Sequence, residues 1–209
     1  HIRPYFMAKQ FTRVPNARKV ISNLSLELFS SFDQDGAVLH GLPAKAYTSP
    51  DFFSLESNQL FERSWTFVGF ANDIVNVGDI RPIKVAGTPL LLVRSSDLQI
   101  RVFHNVCRHR ASMLADDGET GRCKLIRCPY HGWSYRLDGT LLSMADFGDS
   151  SELDMADFSL HKIRVDTWNG LVFVCLSPET PDLMRWLGSI PALSADYPNP
   201  DELQFHGSF

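Results

Sequence analysis

The chain has 209 residues, a net charge of −4, 44% hydrophobic residues and four cysteines. That composition is ordinary for a globular protein and excludes a disordered or fibrous chain. No apolar run approaches the roughly 20 residues of a bilayer span, the slight acidic excess argues against nucleic acid as the main partner, and four cysteines are too few for a disulfide scaffold. The first element in chain order is a basic arm: Arg3, Lys9, Arg13, Arg18 and Lys19 precede the first acidic residue, Glu27. The chain opens on His1 rather than Met, and residues 1–6 read as a remnant ahead of Met7. An ordinary arm is preferred over an organelle-targeting stretch, and no apolar region follows the charges as a secretory signal would require. Val20, Ile21, Leu24, Leu28 and Phe29 recur with helical period and predict an amphipathic helix over 16–32. A second helix is predicted from Pro50 or Asp51 to Arg63, with Ser49 as N-cap, Pro50 in the first turn, and Phe53, Leu60 and Phe61 on its buried side.

After Trp65 the texture changes. Short runs rich in Val, Ile, Leu and Phe predict strands over 65–70, 79–85, 90–94, 100–105, 125–127, 133–137, 163–167 and 171–176. Asn76, Gly78, Gly87, Pro89 and Asn169-Gly170 punctuate them. Asp138-Gly139 predicts a hairpin turn in which both residues tolerate positive φ. Many short strands at close spacing predict a mainly β fold, an antiparallel sandwich or barrel with N-terminal helices. A helix is expected over 181–188, a linker over 191–200 and the opening of another strand over 203–209.

Two segments carry chemistry. The first is Cys107-Arg108-His109; the second is Cys128-Pro129-Tyr130-His131-Gly132-Trp133. The pattern is C-x-H, 18 residues, then C-x-x-H. Two Cys and two His suit zinc or an iron–sulfur cluster. Zinc fingers usually pair like with like, whereas each loop here mixes one thiol with one imidazole. A Rieske [2Fe–2S] centre needs that mixture, because one iron takes two Cys and the other two His. Cys123 and Cys175 read as bystanders, a free thiol and a small buried hydrophobe. His104 reads as a packed histidine. Arg108 and Arg110 read as solvated loop charges, with docking of an electron donor as the sharper alternative, and Trp65 and Trp168 as core aromatics.

Asn105-Val106-Cys107-Arg108-His109-Arg110 and Cys128-Pro129-Tyr130-His131-Gly132-Trp133-Ser134-Tyr135 resemble the signature of Rieske non-haem iron (ring-hydroxylating) oxygenases. Arg63-Ser64-Trp65, Leu137-Asp138-Gly139 and the run from Trp168 to Val174 extend the resemblance, which covers residues 42–209. After the basic arm with its predicted helix, taken as 1–45, it implies a β-sandwich Rieske domain over 46–180 and a linker with the start of a catalytic domain over 181–209. It implies a [2Fe–2S] cluster held by Cys107, His109, Cys128 and His131, and electron transfer as the function. Backbone N–H groups are the expected donors to the sulfurs, and Trp133 and Pro129 the expected shield. Other Rieske proteins brace the two loops with a disulfide; Ser112 and Tyr130 stand at those positions here, so that bridge cannot form.

None of His1, His40, His104, His161 and His206 forms the D-x-x-H-x-x-x-x-H motif of the family. The mononuclear Fe(II) that activates oxygen is therefore expected in a catalytic domain outside this chain. The resemblance further implies a ferredoxin or flavin reductase as electron donor, a homotrimeric or hetero-oligomeric full-length subunit, neither nucleic acid nor membrane as partner, and a cytoplasmic, stromal or matrix location. The run from His104 to Ser112 resembles choline-monooxygenase-like members slightly more than aromatic dioxygenases. A stand-alone Rieske electron carrier and a zinc-stabilised module are the alternatives.

Overall fold

The computed structural model describes residues 44–118, 120–145, 147–148 and 153–197. The predicted helix over 16–32 and the predicted strand over 203–209 lie outside them. The chain divides between Leu60 and Phe61 into two compact units.

The first unit holds two short helices, α1 (Ala44–Thr48) and α2 (Pro50–Glu56). Ser49 caps α2 as expected: its Oγ accepts the Phe52 N–H at 3.3 Å, and Pro50 opens the first turn. The helix does not run on regularly to Arg63. It widens into a π turn at Ser57–Phe61. That change of period breaks the stripe expected of one regular helix. Phe53 and Leu60 accordingly lie 61% and 51% exposed rather than buried, and Phe61 is half-buried.

The second unit is built on ten strands: β1 (Thr66–Phe70), β2 (Asp79–Val85), β3 (Thr88–Arg94), β4 (Ile100–His104), β5 (Gly121–Arg122), β6 (Ile126–Arg127), β7 (Ser134–Tyr135), β8 (Leu141–Ser143), β9 (Lys162–Trp168) and β10 (Leu171–Cys175). Seven form one antiparallel sheet in the order β1-β10-β9-β4-β3-β2-β5, and β6-β7-β8 form a second. All eight predicted strands are present, within a few residues at each end. β5 and β8 are additions.

The apolar run of β3 is explained by its place in the sheet. Leu91 and Val93 point into a core shared with Phe103, Ile126, Tyr135, Leu141 and Leu160. Leu90 and Leu92 point the other way, toward Val85, Val102, Val172 and Val174. Period-2 alternation with both faces covered yields an unbroken hydrophobic strand. β10 alternates likewise: Val172 and Val174 join the second core, while Phe173 and Cys175 pack with Trp65, Leu183 and Leu187. Leu183 and Leu187 belong to α3 (Leu183–Leu187), which ends at Gly188 as expected. The predicted linker is helical at its start, because α4 (Ile190–Leu193) seats Pro191 in its first turn, where a missing N–H costs nothing. Trp65 anchors α3's approach: its Nε1–H donates to the Pro181 carbonyl at 2.8 Å, and Arg164 lies 5.0 Å above its ring.

The loop leaving β4 is clamped by a side chain. Asn105 is fully buried; its Oδ1 accepts the N–H groups of Leu114 (3.2 Å) and Ala115 (3.1 Å), and its Nδ2 donates to the Ala115 carbonyl at 2.7 Å. Between β7 and β8, the turn at Asp138-Gly139 uses only one positive φ. Gly139 stands at +87°, while the Asp138 carboxylate accepts from the Thr140 N–H and hydroxyl. The second sheet closes on the first here, because a Cβ on Gly139 would strike the Phe103 ring.

Two stability predictions follow from this packing. Gly139→Ala adds left-handed strain to a collision with a buried ring, and should destabilise the protein by about 2–4 kcal/mol in urea titration. Asn105→Ala strands two buried N–H groups and a carbonyl, and should also cost about 2–4 kcal/mol. A loss under about 0.5 kcal/mol in either variant would contradict the packing described.

Candidate metal centre

The two signature loops have the same frame. In the first, Val106 pairs with Met113, the Cys107 N–H donates to the Ser112 carbonyl (2.8 Å), and the Ala111 N–H donates to the Cys107 carbonyl (3.1 Å). In the second, Arg127 pairs with Ser134, the Cys128 N–H donates to the Trp133 carbonyl (2.8 Å), and the Gly132 N–H donates to the Cys128 carbonyl (3.1 Å). Each Cys therefore opens a loop closed by the residue five positions on. The fourth residue after each Cys turns left-handed, Ala111 at φ +56° and Gly132 at +73°. The histidine sits two places after Cys in one loop and three in the other, so C-x-H and C-x-x-H are one turn with the imidazole displaced by a residue.

These matching turns bring like to like. Cys107 and Cys128 are each 3% exposed and interact with one another. The His109 and His131 rings lie 4.7 Å apart, centroid to centroid. Among the described residues, no group of three or more Cys, His, Asp or Glu side chains converges on a single point. Two pairs suit a centre of two metal atoms better than one tetrahedral zinc ion. His109 Nδ1 is buried with no hydrogen-bond partner among the described residues, as a ligating nitrogen would be. The donor set and its pairing fit a [2Fe–2S] cluster.

Burial pushes the Cys107 thiol pKa up, and Cys128 beside it pushes the same way. Two donors oppose this, the Tyr135 hydroxyl and the His109 backbone N–H. Tyr135 has no exposed surface, and its hydroxyl lies 3.2 Å from Cys107 Sγ while accepting the Arg108 N–H at 3.0 Å. Toward a thiolate, which can only accept, the hydroxyl would be the donor. Burial and the two thiols raise the Tyr135 pKa, which keeps its proton in place. A backbone N–H was the expected donor; the phenol was not, because Tyr135 lies seven residues beyond Cys128 in an ordinary-looking strand.

The surroundings refine the reading of the residues beside the loops. Arg108 is not simply a solvated charge: it is half-buried and bonded within the fold. Its Nε donates to the Ser159 carbonyl (3.2 Å) and its NH2 group to the Asp157 carbonyl (3.0 Å), tying the first loop to a 3-10 turn at Met155–Phe158. Pro129 is exposed, whereas Trp133 is 1% exposed and lies parallel to His109. His131 is covered by Tyr130, 3.7 Å away and itself 61% exposed, beside an open pocket of about 430 Å³ that also touches Arg127 and Ala145. Arg110 is exposed.

The described histidines and cysteines outside the motif have ordinary surroundings. His104 is half-buried, edge-on to His161 at 6.4 Å, and burial lowers its pKa. Cys175 is 1% exposed and donates to the Ser177 carbonyl at 3.4 Å. Cys123 is a half-buried free thiol packed against the core that holds Cys107. No helix among the described residues is long and apolar enough to cross a membrane.

Comparison with known proteins agrees with this geometry. Residues 64–152 match the family model of the Rieske [2Fe-2S] domain. The chain is 35% identical over 159 residues to the glycine betaine monooxygenase oxygenase subunit of Chromohalobacter salexigens, covering 76% of this chain and 35% of that protein. It is 32% identical to the carnitine monooxygenase oxygenase subunit of Escherichia coli K12 over 72% of this chain and 40% of that one. The chain thus spans well under half the length of these relatives. Its fold matches the crystal structure of the quaternary ammonium Rieske monooxygenase CntA with L-carnitine, with a TM-score of 0.65 and 28% identity over 73% of this chain and 44% of that one. Naphthalene 1,2-dioxygenase from Rhodococcus sp. matches with a TM-score of 0.72 and 25% identity over 85% of this chain and 39% of that one. The chain carries a Rieske [2Fe–2S] domain and is related to the oxygenase subunits of Rieske monooxygenases and dioxygenases.

Proposed function

We propose that Cys107 and Cys128 supply the two thiolates, and His109 and His131 the two imidazoles, of a Rieske cluster that feeds electrons to a mononuclear non-haem iron site outside this chain. The observation that carries this reading is the pairing made by the two congruent loops, thiol beside thiol and imidazole beside imidazole. When bound, such a cluster takes up and returns one electron at a time, and its two neutral imidazoles raise its potential above that of an all-cysteine cluster. The chain's own part is to hold the ligands and tune their charge. Tyr135 directs its hydroxyl at Cys107, which favours the state with more negative charge on sulfur. The second loop presents His131 and Tyr130 beside an open pocket, on the side a redox partner would approach.

The whole protein reads as the large subunit of a Rieske oxygenase, taking electrons from a ferredoxin or flavin reductase and working as a homotrimer or hetero-oligomer. A quaternary amine is the favoured substrate class, supported by the glycine betaine and carnitine monooxygenase relatives. Oxygen-dependent consumption of such an amine by the full-length protein with its reductase tests this; consumption only of an aromatic hydrocarbon would place it with the dioxygenases.

Three measurements test the site. The purified chain should be coloured and contain iron and acid-labile sulfide, whereas a colourless zinc protein would overturn the reading. His109→Ala and Cys128→Ser should abolish the Rieske electron paramagnetic resonance signal, since ligation and loop folding are coupled. Retention of an unchanged signal in His109→Ala would refute the assignment of that ligand. Tyr135→Phe should keep the cluster and lower its reduction potential by about 20–65 mV, the one-electron equivalent of one net hydrogen bond.

A further inference from the structure

We propose that the Trp133 indole is the positioning residue that fixes the plane of the His109 imidazole, and that this cross-loop stack braces the two loops. The inference rests on the assignment of His109 as a cluster ligand.

Trp133 belongs to the second loop and His109 to the first. Their rings lie 4.8 Å apart with planes 5° from parallel. His109 meets its other aromatic neighbours at steep angles, 64° for His131 and 76° for Phe147. The stack with Trp133 is therefore the contact that lies flat against its face, and a planar neighbour restricts ring rotation most when it does so.

The indole is itself held. Its carbonyl closes the second loop by accepting the Cys128 N–H. The edges of Phe147 and Phe158 pack against its ring at 5.5 and 5.9 Å, inclined 72° and 76°. Phe158 lies in the turn that Arg108 ties down through Asp157 and Ser159, and Arg108 adjoins His109. The contacts close a circuit from His109 through Arg108, the 155–158 turn, Phe158 and Trp133 back to the His109 ring. All four cysteines are free, so no disulfide joins the two loops. An imidazole whose plane is set beforehand loses less freedom on ligation, and its orientation governs how it donates to the metal. Trp133 Nε1 has no hydrogen-bond partner among the described residues, so the recorded contact of this side chain with the first loop is through its face.

The test uses the full chain loaded with its cluster and the variants Trp133→Phe and Trp133→Leu. Two quantities are measured: the rate of cluster loss to a chelator, and the nitrogen hyperfine couplings of the ligating imidazoles by pulsed electron paramagnetic resonance. Trp133→Leu should lose its cluster about 2- to 12-fold faster, the worth of one aromatic pair, and should alter the coupling of one imidazole. Trp133→Phe keeps a flat face without the indole N–H and should stay close to wild type in both. Trp133→Met, which fills space without a ring plane, carries the test if the leucine variant does not fold. Wild-type couplings in the leucine or methionine variant would overturn the proposal even with faster cluster loss, since packing alone would explain that loss. A phenylalanine variant that behaves like leucine would overturn it too. A wild-type spectrum lacking two-imidazole coupling would overturn the ligand assignment itself, and the proposal with it.

Discussion

Cys107 and Cys128 lie side by side at 3% exposure each, and the surrounding structure is organised around that burial. Burial raises the Cys107 pKa, and the neighbouring sulfur raises it further. Metal ligation needs both as thiolates. The fold lowers that barrier with donors aimed at sulfur, the Tyr135 hydroxyl and the His109 N–H. A bound metal would supply positive charge to lower it further. An interior that sets two thiols side by side and resists ionising Cys107 is suited to a metal occupant.

Placing two loops to that tolerance needs a rigid support. The central strands provide it, because β3 and β4 are covered on both faces and cannot shift register without turning a buried residue into the opposite core. The first loop leaves β4 directly and is clamped by Asn105. The second spans β6 and β7, whose sheet is pinned to the first by the close approach of Gly139 to Phe103. Each loop repeats the same hydrogen bonds, so two sequences with little in common place their cysteines equivalently. Ala111 adopts the left-handed conformation that Gly132 adopts more cheaply in the other loop. The first loop thus depends more on outside support, which Asn105, Arg108 and Tyr135 provide.

The candidate donor set was legible in the sequence because residue types and spacing carry it: two mixed loops, C-x-H and C-x-x-H, each offer one thiol and one imidazole, and the fold brings them together in pairs. The strands of the main sheet were legible for a related reason, since their cores demand apolar runs between turn residues. What was not legible depends on partners far along the chain. Arg108 looks like a loop charge until carbonyls 49 and 51 residues away accept from it. The two-residue strand β5 exists only because Asp79 and Ile80 offer an edge to pair with. Period alone misplaced Phe53 and Leu60, because an apolar stripe marks a buried face only if the helix stays regular and something covers it. The hairpin at Asp138-Gly139 was legible as a turn but not in its form, which has positive φ at Gly139 alone and an Asp138 carboxylate accepting from Thr140.

The two histidines are equivalent in the motif but not in the fold. His109 has Trp133 flat against its face and His131 and Phe147 at its edges. His131 has Tyr130 over it, and Tyr130 is exposed. The difference follows from the one-residue displacement of the imidazole within otherwise identical turns. At the second position after Cys, the ring reaches across to the indole of the opposite loop; at the third, it stays beside its own loop's Tyr130 and the open pocket. Shifting a histidine by one residue thus gives the site a braced side and an accessible side. A cofactor that must be both retained and reached by an electron partner needs both.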